Sequence, residues 1–321
     1  MSSADITPTA AAGAAAPPER MLAAVAAMLA YTVVIGFTDN QVRRVAGEIG
    51  LWQFHATRSA IALLLLLVAA RVAGIPLRPR NWRAVAGRSA LHGTAMLCYF
   101  GSLAFLPVAI AAAGLFTAPI FVLLITRFAF GARIGPARVL AVAAGFAGTV
   151  LVLGPSGGNA LSPAALAPAA GAVFYALGNI ATRRGCAGET TATLTAGFFA
   201  GLLVYGLAGM AVLAAFGGTA PAGTAGFVLR PPVLPSPETM GWLCIQAAGA
   251  VFAMYMATRS YQLADASRAS VLEYLFLPCA AIWGWLLQGD VLEPRALAGI
   301  LLIVAAGTVI ALRGARDGGG G

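Results

Sequence analysis

Long apolar runs follow one another along this chain, each cut by a short segment carrying arginine, proline or glycine. A helix that crosses a bilayer needs about 20 apolar residues. Runs bounded by charge or by Pro/Gly punctuation are expected as helices over 21–38, 51–70, 89–106, 108–126, 139–153, 164–182, 192–216, 240–261, 266–288 and 296–312. No soluble fold has the interior to hide them. Of the 321 residues, 60% are hydrophobic and only 10% charged, and mean hydropathy is +0.86. Soluble domains carry about 25% charge. The solvent for most of this chain is lipid.

The net charge of +9 comes from arginine alone, because the chain has no lysine. Basic chains often bind nucleic acid, but these arginines are scattered between apolar runs and form no stripe. Positive-inside bias explains them better. With the N-terminus in the cytoplasm, 15 arginines fall on the inner side: Arg20, Arg71, Arg78, Arg80, Arg83, Arg88, Arg127, Arg133, Arg138, Arg183, Arg184, Arg259, Arg268, Arg313 and Arg316. Four fall outside (Arg43, Arg44, Arg230, Arg295), and Arg58 sits inside a span. This asymmetry predicts ten spans with both termini cytoplasmic.

The chain also resembles itself. A shift of 158 residues lays Ala95-Met96 on Ala253-Met254, Ser102 on Ser260, and Gly131 and Pro136 on Gly289 and Pro294. One further residue of shift lays Ala147-Gly148-Thr149-Val150 on Ala306-Gly307-Thr308-Val309. The expected organisation is a disordered tail (1–20), two five-helix repeats (21–155 and 160–313) and a flexible end (314–321). An odd number of helices per repeat inverts the second copy, and inverted repeats are typical of secondary transporters. Met21 to Phe37 is long, has no clean A-x-A exit and leads into further spans, so it reads as a first helix rather than a signal peptide. The one long connection, 217–239, is rich in proline and reads as an exposed loop.

Arg259 to Ser267, Leu272-Glu273-Tyr274-Leu275, Trp283 to Asp290 and Gly299 to Gly307 stand in the second half, with Thr38-Asp39, Arg58 and Pro119 in the first. These segments, the first-half ones more loosely, resemble EamA-type proteins of the drug/metabolite transporter superfamily. The resemblance spans roughly residues 21–313. It implies an all-α, ten-helix integral membrane protein of a bacterial-type inner membrane that moves a small metabolite without an ATPase part. Export is the favoured direction, with an uptake permease as the alternative. Family members usually carry Gly-Glu after helices 4 and 9; here Gly131-Ala132 and Gly289-Asp290 stand there, so position 132 supplies no acid. Independently, no Walker A pattern occurs, and no lysine could complete one.

Glu273 is the sharpest candidate. A helix starting at Ala266 puts it about 10 Å along the axis at 1.5 Å per residue, about a third of the way into the hydrocarbon. A carboxylate there is costly and marks a functional site by default. It either holds a cationic substrate or coupling proton, pairs structurally with Arg259, or snorkels to the interface. Arg58 either receives an anionic substrate group or, the favoured reading, pairs with Asp39 at similar depth. Tyr99, Tyr175, Asn179 and Tyr274 are candidate cavity residues, Tyr274 first because it adjoins Glu273; helix packing is the alternative. Tyr261 reads as an interfacial anchor, and His55 and His92 as hydrogen-bonded interfacial residues. Pro119 and Pro278 hold similar positions in helices 4 and 9 and are gate candidates, since proline kinks a helix.

Cys98, Cys186, Cys244 and Cys279 show no CxxC spacing, and no histidine pattern suggests zinc. No metal or other cofactor is expected. An intramembrane enzyme would need a clustered nucleophile–base set, and the titratable groups here are isolated. A non-transporting scaffold would need sizeable soluble parts. The expected function is secondary transport of an amino acid, amine, vitamin or drug-like solute by alternating access. Its partners would be that solute, the lipid bilayer, protons and a second copy of the chain, with no nucleic acid.

Overall fold

A computed structural model describes residues 20–102, 111, 114–153, 166–216, 220, 226–288 and 293–318, the side chains at 43, 311 and 313–318 apart. The tail 1–19, part of the expected span 108–126, much of the proline-rich connection, and Gly289-Asp290 lie outside the described residues. All regular structure among the described residues is helical.

The helices are α1 (Met21–Asn40), α2 (Val42–Ala46), α3 (Leu51–Val72), α4 (Trp82–Ser102), α5 (Ala118–Phe128), α6 (Pro136–Leu153), α7 (Leu166–Arg184), α8 (Thr191–Phe216), α9 (Pro237–Leu263), α10 (Ala266–Leu272), α11 (Phe276–Gln288) and α12 (Pro294–Gly318). Five stretches among the described residues are long and apolar enough to cross a membrane: Met21–Ala46, Leu51–Val72, Thr191–Phe216, Pro237–Leu263 and Ala266–Leu287. Shorter apolar helices run over Ala118–Phe128, Pro136–Val152 and Pro294–Ile310. α4 and α7 are more polar because Arg88, His92, Asn179 and Thr182 on them point into the protein, not into lipid.

Local chemistry sets several ends. Ser236 caps α9 by accepting from the Thr239 N–H at 3.2 Å, and Pro237 takes the first turn, where no N–H is needed. Asp265 caps α10 through the Ser267 N–H at 2.9 Å.

Two expected spans are interrupted rather than kinked. The expected helix 266–288 breaks at a 3-10 turn, Glu273–Leu275, between α10 and α11. On the first-half side, a turn at Phe116–Thr117 precedes α5, and the Thr117 hydroxyl donates to the Gly114 carbonyl at 2.6 Å. Pro119 and Pro278 each fall in the first turn of the helix that restarts. A missing donor costs nothing there, so the prolines fit a break and not a mid-helix kink.

The helices pack in pairs: α1 on α9, α4 on α7, α3 on α8 and α6 on α12, with α1 also touching α11 and α5 touching α7. Glycines set the closest approaches. A Cβ on Gly148 would stand 2.8 Å from the Gly299 carbonyl oxygen, and one on Gly299 would stand 2.6 Å from that of Gly148. Lipid supplies little drive for helices to associate, so such backbone contact carries the packing. Gly148→Leu or Gly299→Leu is expected to destabilise by about 1–3 kcal/mol through overpacking. Gly87→Leu, where nothing lies within 4 Å, is the control. Thermal unfolding in detergent checks this; equal melting of all three would count against a close α6–α12 seam.

The loops gather at two ends. At one, the Arg20 N–H donates to the Leu263 carbonyl, Arg183 to the Gln262 carbonyl, and Arg138 to Ser267. There Glu189 also accepts from the Arg80 and Asn81 N–H groups at 3.1 and 2.6 Å. At the other, Arg230 donates to the Ala46 carbonyl, Gln53 to that of Val233, and Glu48 accepts from Ser236 and Thr239. Arginines expected on one side therefore share an end. Arg88 and Arg183, counted as surface arginines, are instead 2% and 7% exposed, and Arg138 and Arg268 are half-buried.

Candidate functional site

The paired helices enclose a cavity of about 90 Å³. Its long wall is α1, from Tyr31 to Asp39, about 12 Å of helix at 1.5 Å per residue. Most of the lining is apolar, with Met96, Phe116, Phe198, Met254 and Phe276 prominent. Three charged side chains break it, Asp39, Arg58 and Glu273, along with Tyr31, Tyr99 and Tyr175. Apolar walls with a few placed polar groups are what a small-molecule site has.

Asp39 and Arg58 face the cavity towards the arginine-poor end. Asp39 closes the last turn of α1, and Arg58 lies in the second turn of α3. The Arg58 guanidinium stands over the rings of Phe54 (4.7 Å) and Phe100 (5.8 Å), and its Nε has no hydrogen-bond partner. Both side chains line the cavity, but among the described residues they do not come within ion-pair distance. The expected structural pair is therefore not closed.

Glu273 sits at the helix break, 5% exposed, and accepts a hydrogen bond from the Tyr175 hydroxyl at 2.8 Å. Tyr31, Tyr261 and Asn179 cluster around the same carboxylate. Arg259 is elsewhere. It is exposed in a polar vestibule of about 530 Å³ at the arginine-rich end, with Arg20, Arg183, Glu189 and Gln262. The anticipated Arg259–Glu273 pair does not form, and burial excludes snorkelling for Glu273.

A buried polar layer separates cavity from vestibule. Arg88 donates to the Thr182 hydroxyl (2.6 Å), the Leu194 carbonyl (2.9 Å) and the Thr258 hydroxyl (3.1 Å), tying α4 to α7, α8 and α9. His92, one turn on, meets the Asn179 side-chain oxygen at 3.0 Å and the Arg88 carbonyl at 3.2 Å. Thr182 reaches the vestibule, while Tyr175, two turns back on α7, reaches the cavity. Other polar side chains, His55, Ser59 and Gln246, are buried without hydrogen-bond partners, His55 edge-on to the cavity residue Phe100. Both histidines are buried within the protein, His55 at 0% and His92 at 1% exposed, and of the two only His92 is hydrogen-bonded among the described residues.

Of the expected site residues, Tyr99, Tyr175, Arg58, Asp39, Pro119 and Glu273 line the cavity. Asn179 stands behind it in the polar layer. Tyr274 does not line it; its fully buried ring packs in the apolar core near Phe116 (centroids 6.3 Å) and against Gly145. Pro278 is not among the lining residues either. Tyr261, expected at the boundary, is 2% exposed beside Glu273. Tyr31 and Arg88 went unnoticed as site residues. For Arg88 there was a signal: Arg88 and His92 are four apart and share one helix face. Among the described residues no group of His, Cys, Asp or Glu is placed to hold a metal ion.

Comparison with known proteins places these features in context. Residues 22–154 match the EamA-like transporter family. A riboflavin transporter from Rhizobium johnstonii is 28% identical over 71% of this chain and 70% of its own length. A pseudopaline exporter from Pseudomonas aeruginosa is 27% identical over 78% of this chain and 82% of its own. One solved protein structure superposes with a TM-score of 0.72 over 92% of this chain and 98% of its own, at 22% identity, which shows a shared fold.

Proposed function

Taking the chain as an EamA-type membrane transporter, we propose that it is a secondary transporter moving a small organic solute by alternating access. The observation that carries this is a mostly apolar cavity between the helices holding Asp39, Arg58 and Glu273, with buried polar side chains nearby. Ten spans in two inverted five-helix halves (21–155 and 160–313), with cytoplasmic termini in a bacterial inner membrane, account for the packing. Exchanging the halves turns the α1–α9 contact into α7–α4, turns α1–α11 into α7–α5, and leaves α3–α8 and α6–α12 unchanged. The arginine-rich end is then the inner face.

Charge balance suggests how the cavity works. With both acids ionised, Asp39, Arg58 and Glu273 sum to one negative charge. A proton on Glu273 or a cationic group on the solute restores neutrality, and an isolated charge in the bilayer interior is strongly disfavoured. Glu273 therefore carries the coupling proton, and its protonation ties proton movement to solute movement. Tyr175 holds the carboxylate in place. Export by proton exchange is the favoured direction. Uptake is the alternative.

Purified protein in proteoliposomes tests this. Saturable flux of an amino acid, amine or vitamin, driven by an imposed pH gradient and absent from empty vesicles, is the expected result. The sign of the gradient that drives accumulation gives the direction. No protein-dependent flux of any solute that raises the melting temperature would overturn the transporter reading.

A further inference from the structure

The vestibule at the arginine-rich end is a second concavity with a different chemistry from the cavity. Its volume is about 530 Å³, inside the range of about 300–1,000 Å³ that small-molecule sites span. Its wall carries Arg20 from just before α1, Arg183 from the last turn of α7 and Arg259 from near the end of α9. Arg80 joins them at the rim, because a Cβ on the wall residue Gly188 would stand 3.4 Å from Arg80 Nη1.

The one acid in this wall does not balance them. Glu189 is 6% exposed, and its carboxylate oxygens accept from the Arg80 and Asn81 N–H groups. Three arginines and one glutamate in the wall leave two positive charges. Neither Arg20 nor Arg259 pairs with a carboxylate among the described residues. The neutral polar groups are bonded to one another. The Gln262 amide oxygen accepts from the Thr191 hydroxyl, its amide nitrogen donates to the Glu189 carbonyl, and its backbone carbonyl accepts from Arg183. Guanidinium groups are therefore what the space offers a ligand. Like charges drawn from three helices around one concavity repel, and an anion of matching charge relieves them.

A phosphate monoester carries roughly two negative charges near pH 7. Its oxygens suit guanidinium forks, which grip them with paired hydrogen bonds. A single carboxylate meets half the charge, and an amine is repelled. We propose that the vestibule is a binding site for a phosphate monoester, separate from the cavity. The polar layer divides the two: Thr182 lines the vestibule, and its hydroxyl accepts the bond from Arg88. Two sources present this group, a soluble phosphate ester and the headgroup of phosphatidic acid. Bound among Arg20, Arg183 and Arg259, it ties together the ends of α1, α7 and α9, so occupancy stabilises the fold. This assignment is independent of what the cavity carries.

Thermal unfolding of the full-length protein in detergent tests it, titrated with sn-glycerol 3-phosphate and with a short-chain phosphatidic acid. Glycerol, the phosphatidylcholine of the same chain length, and sodium chloride at matched ionic strength are the controls, the last because salt screens a diffuse surface field. The melting temperature is expected to rise with a phosphate monoester and not with the controls. Arg20→Gln and Arg259→Gln alter exposed side chains and should each need about tenfold more ligand for the same rise. Arg127→Gln, exposed at the end of α5 and outside the vestibule wall, should respond as the parent does. A rise with glycerol 3-phosphate supports a soluble ester as the ligand; a rise with phosphatidic acid alone supports the lipid headgroup. The site is overturned if neither probe stabilises, if a control reproduces the rise, if Arg20→Gln and Arg259→Gln respond as the parent does, or if Arg127→Gln weakens the response as much as they do.

Discussion

Glu273→Gln is expected to abolish accumulation driven by a pH gradient while leaving solute counterflow intact. Glutamine has nearly the shape of glutamic acid, and its amide oxygen can still accept from the Tyr175 hydroxyl, which lies 2.8 Å from the carboxylate. Packing at the α10–α11 break therefore changes little. What is lost is the ability to exchange a proton. A gradient of one pH unit is worth about 1.4 kcal/mol per proton, enough for about tenfold accumulation. The parent should show that accumulation and the variant should only equilibrate. Counterflow, which needs binding and access but no net proton movement, separates loss of coupling from loss of fold. A variant that still concentrates solute against a gradient would remove Glu273 from the coupling mechanism. Loss of both assays with an unchanged melting temperature would instead make it a substrate contact.

How much of this could be read from the chain depends on what each property responds to. Helix positions were legible because lipid demands long apolar runs and satisfied backbone groups. The expected 51–70 and 192–216 became Leu51–Val72 and Thr191–Phe216. Asp39, Arg58 and Glu273 were legible for the converse reason: a charge inside an apolar run is conspicuous. Depth could be counted at a fixed rise per residue, which made Arg259–Glu273 a plausible pair. Direction around the helix axis could not, since it is set by packing against neighbours. Arg259 turns out to the vestibule and Glu273 in to the cavity. The same gap hid Tyr31 and Tyr261, whose rings look alike in sequence whether they meet lipid, core or cavity. The break at Glu273–Leu275 holds neither glycine nor proline, and Pro278 alone suggested a kink.

Arg88→Met is expected to be the most destabilising single change in the polar interior. Methionine fills similar length with no donor, so the Leu194 carbonyl and the Thr182 and Thr258 hydroxyls each lose the bond that Arg88 supplied. A buried polar group left without a partner costs about 1–3 kcal/mol. The Thr182 hydroxyl keeps its bond to the Gly178 carbonyl and the Leu194 carbonyl its helix bond within α8, so the cost is about 1–3 kcal/mol, or a melting temperature lower by about 2–10 °C. Arg88→Lys should fall between, because one ammonium cannot span three helices as a guanidinium fork does. Gln246 is the instructive contrast. It stands 158 residues on from Arg88, the same shift that relates the two halves, and is 1% exposed with both ends of its amide unpaired. Gln246→Leu removes an unmet desolvation cost and should leave the melting temperature unchanged or raise it. If the two layers are the seals on either side of the cavity, the inner one is bonded apart from the Asn179 amide nitrogen and the outer one is not, so outward opening breaks fewer bonds than inward opening. Equal melting of Arg88→Met and the parent, or a large loss in Gln246→Leu, would contradict that asymmetry.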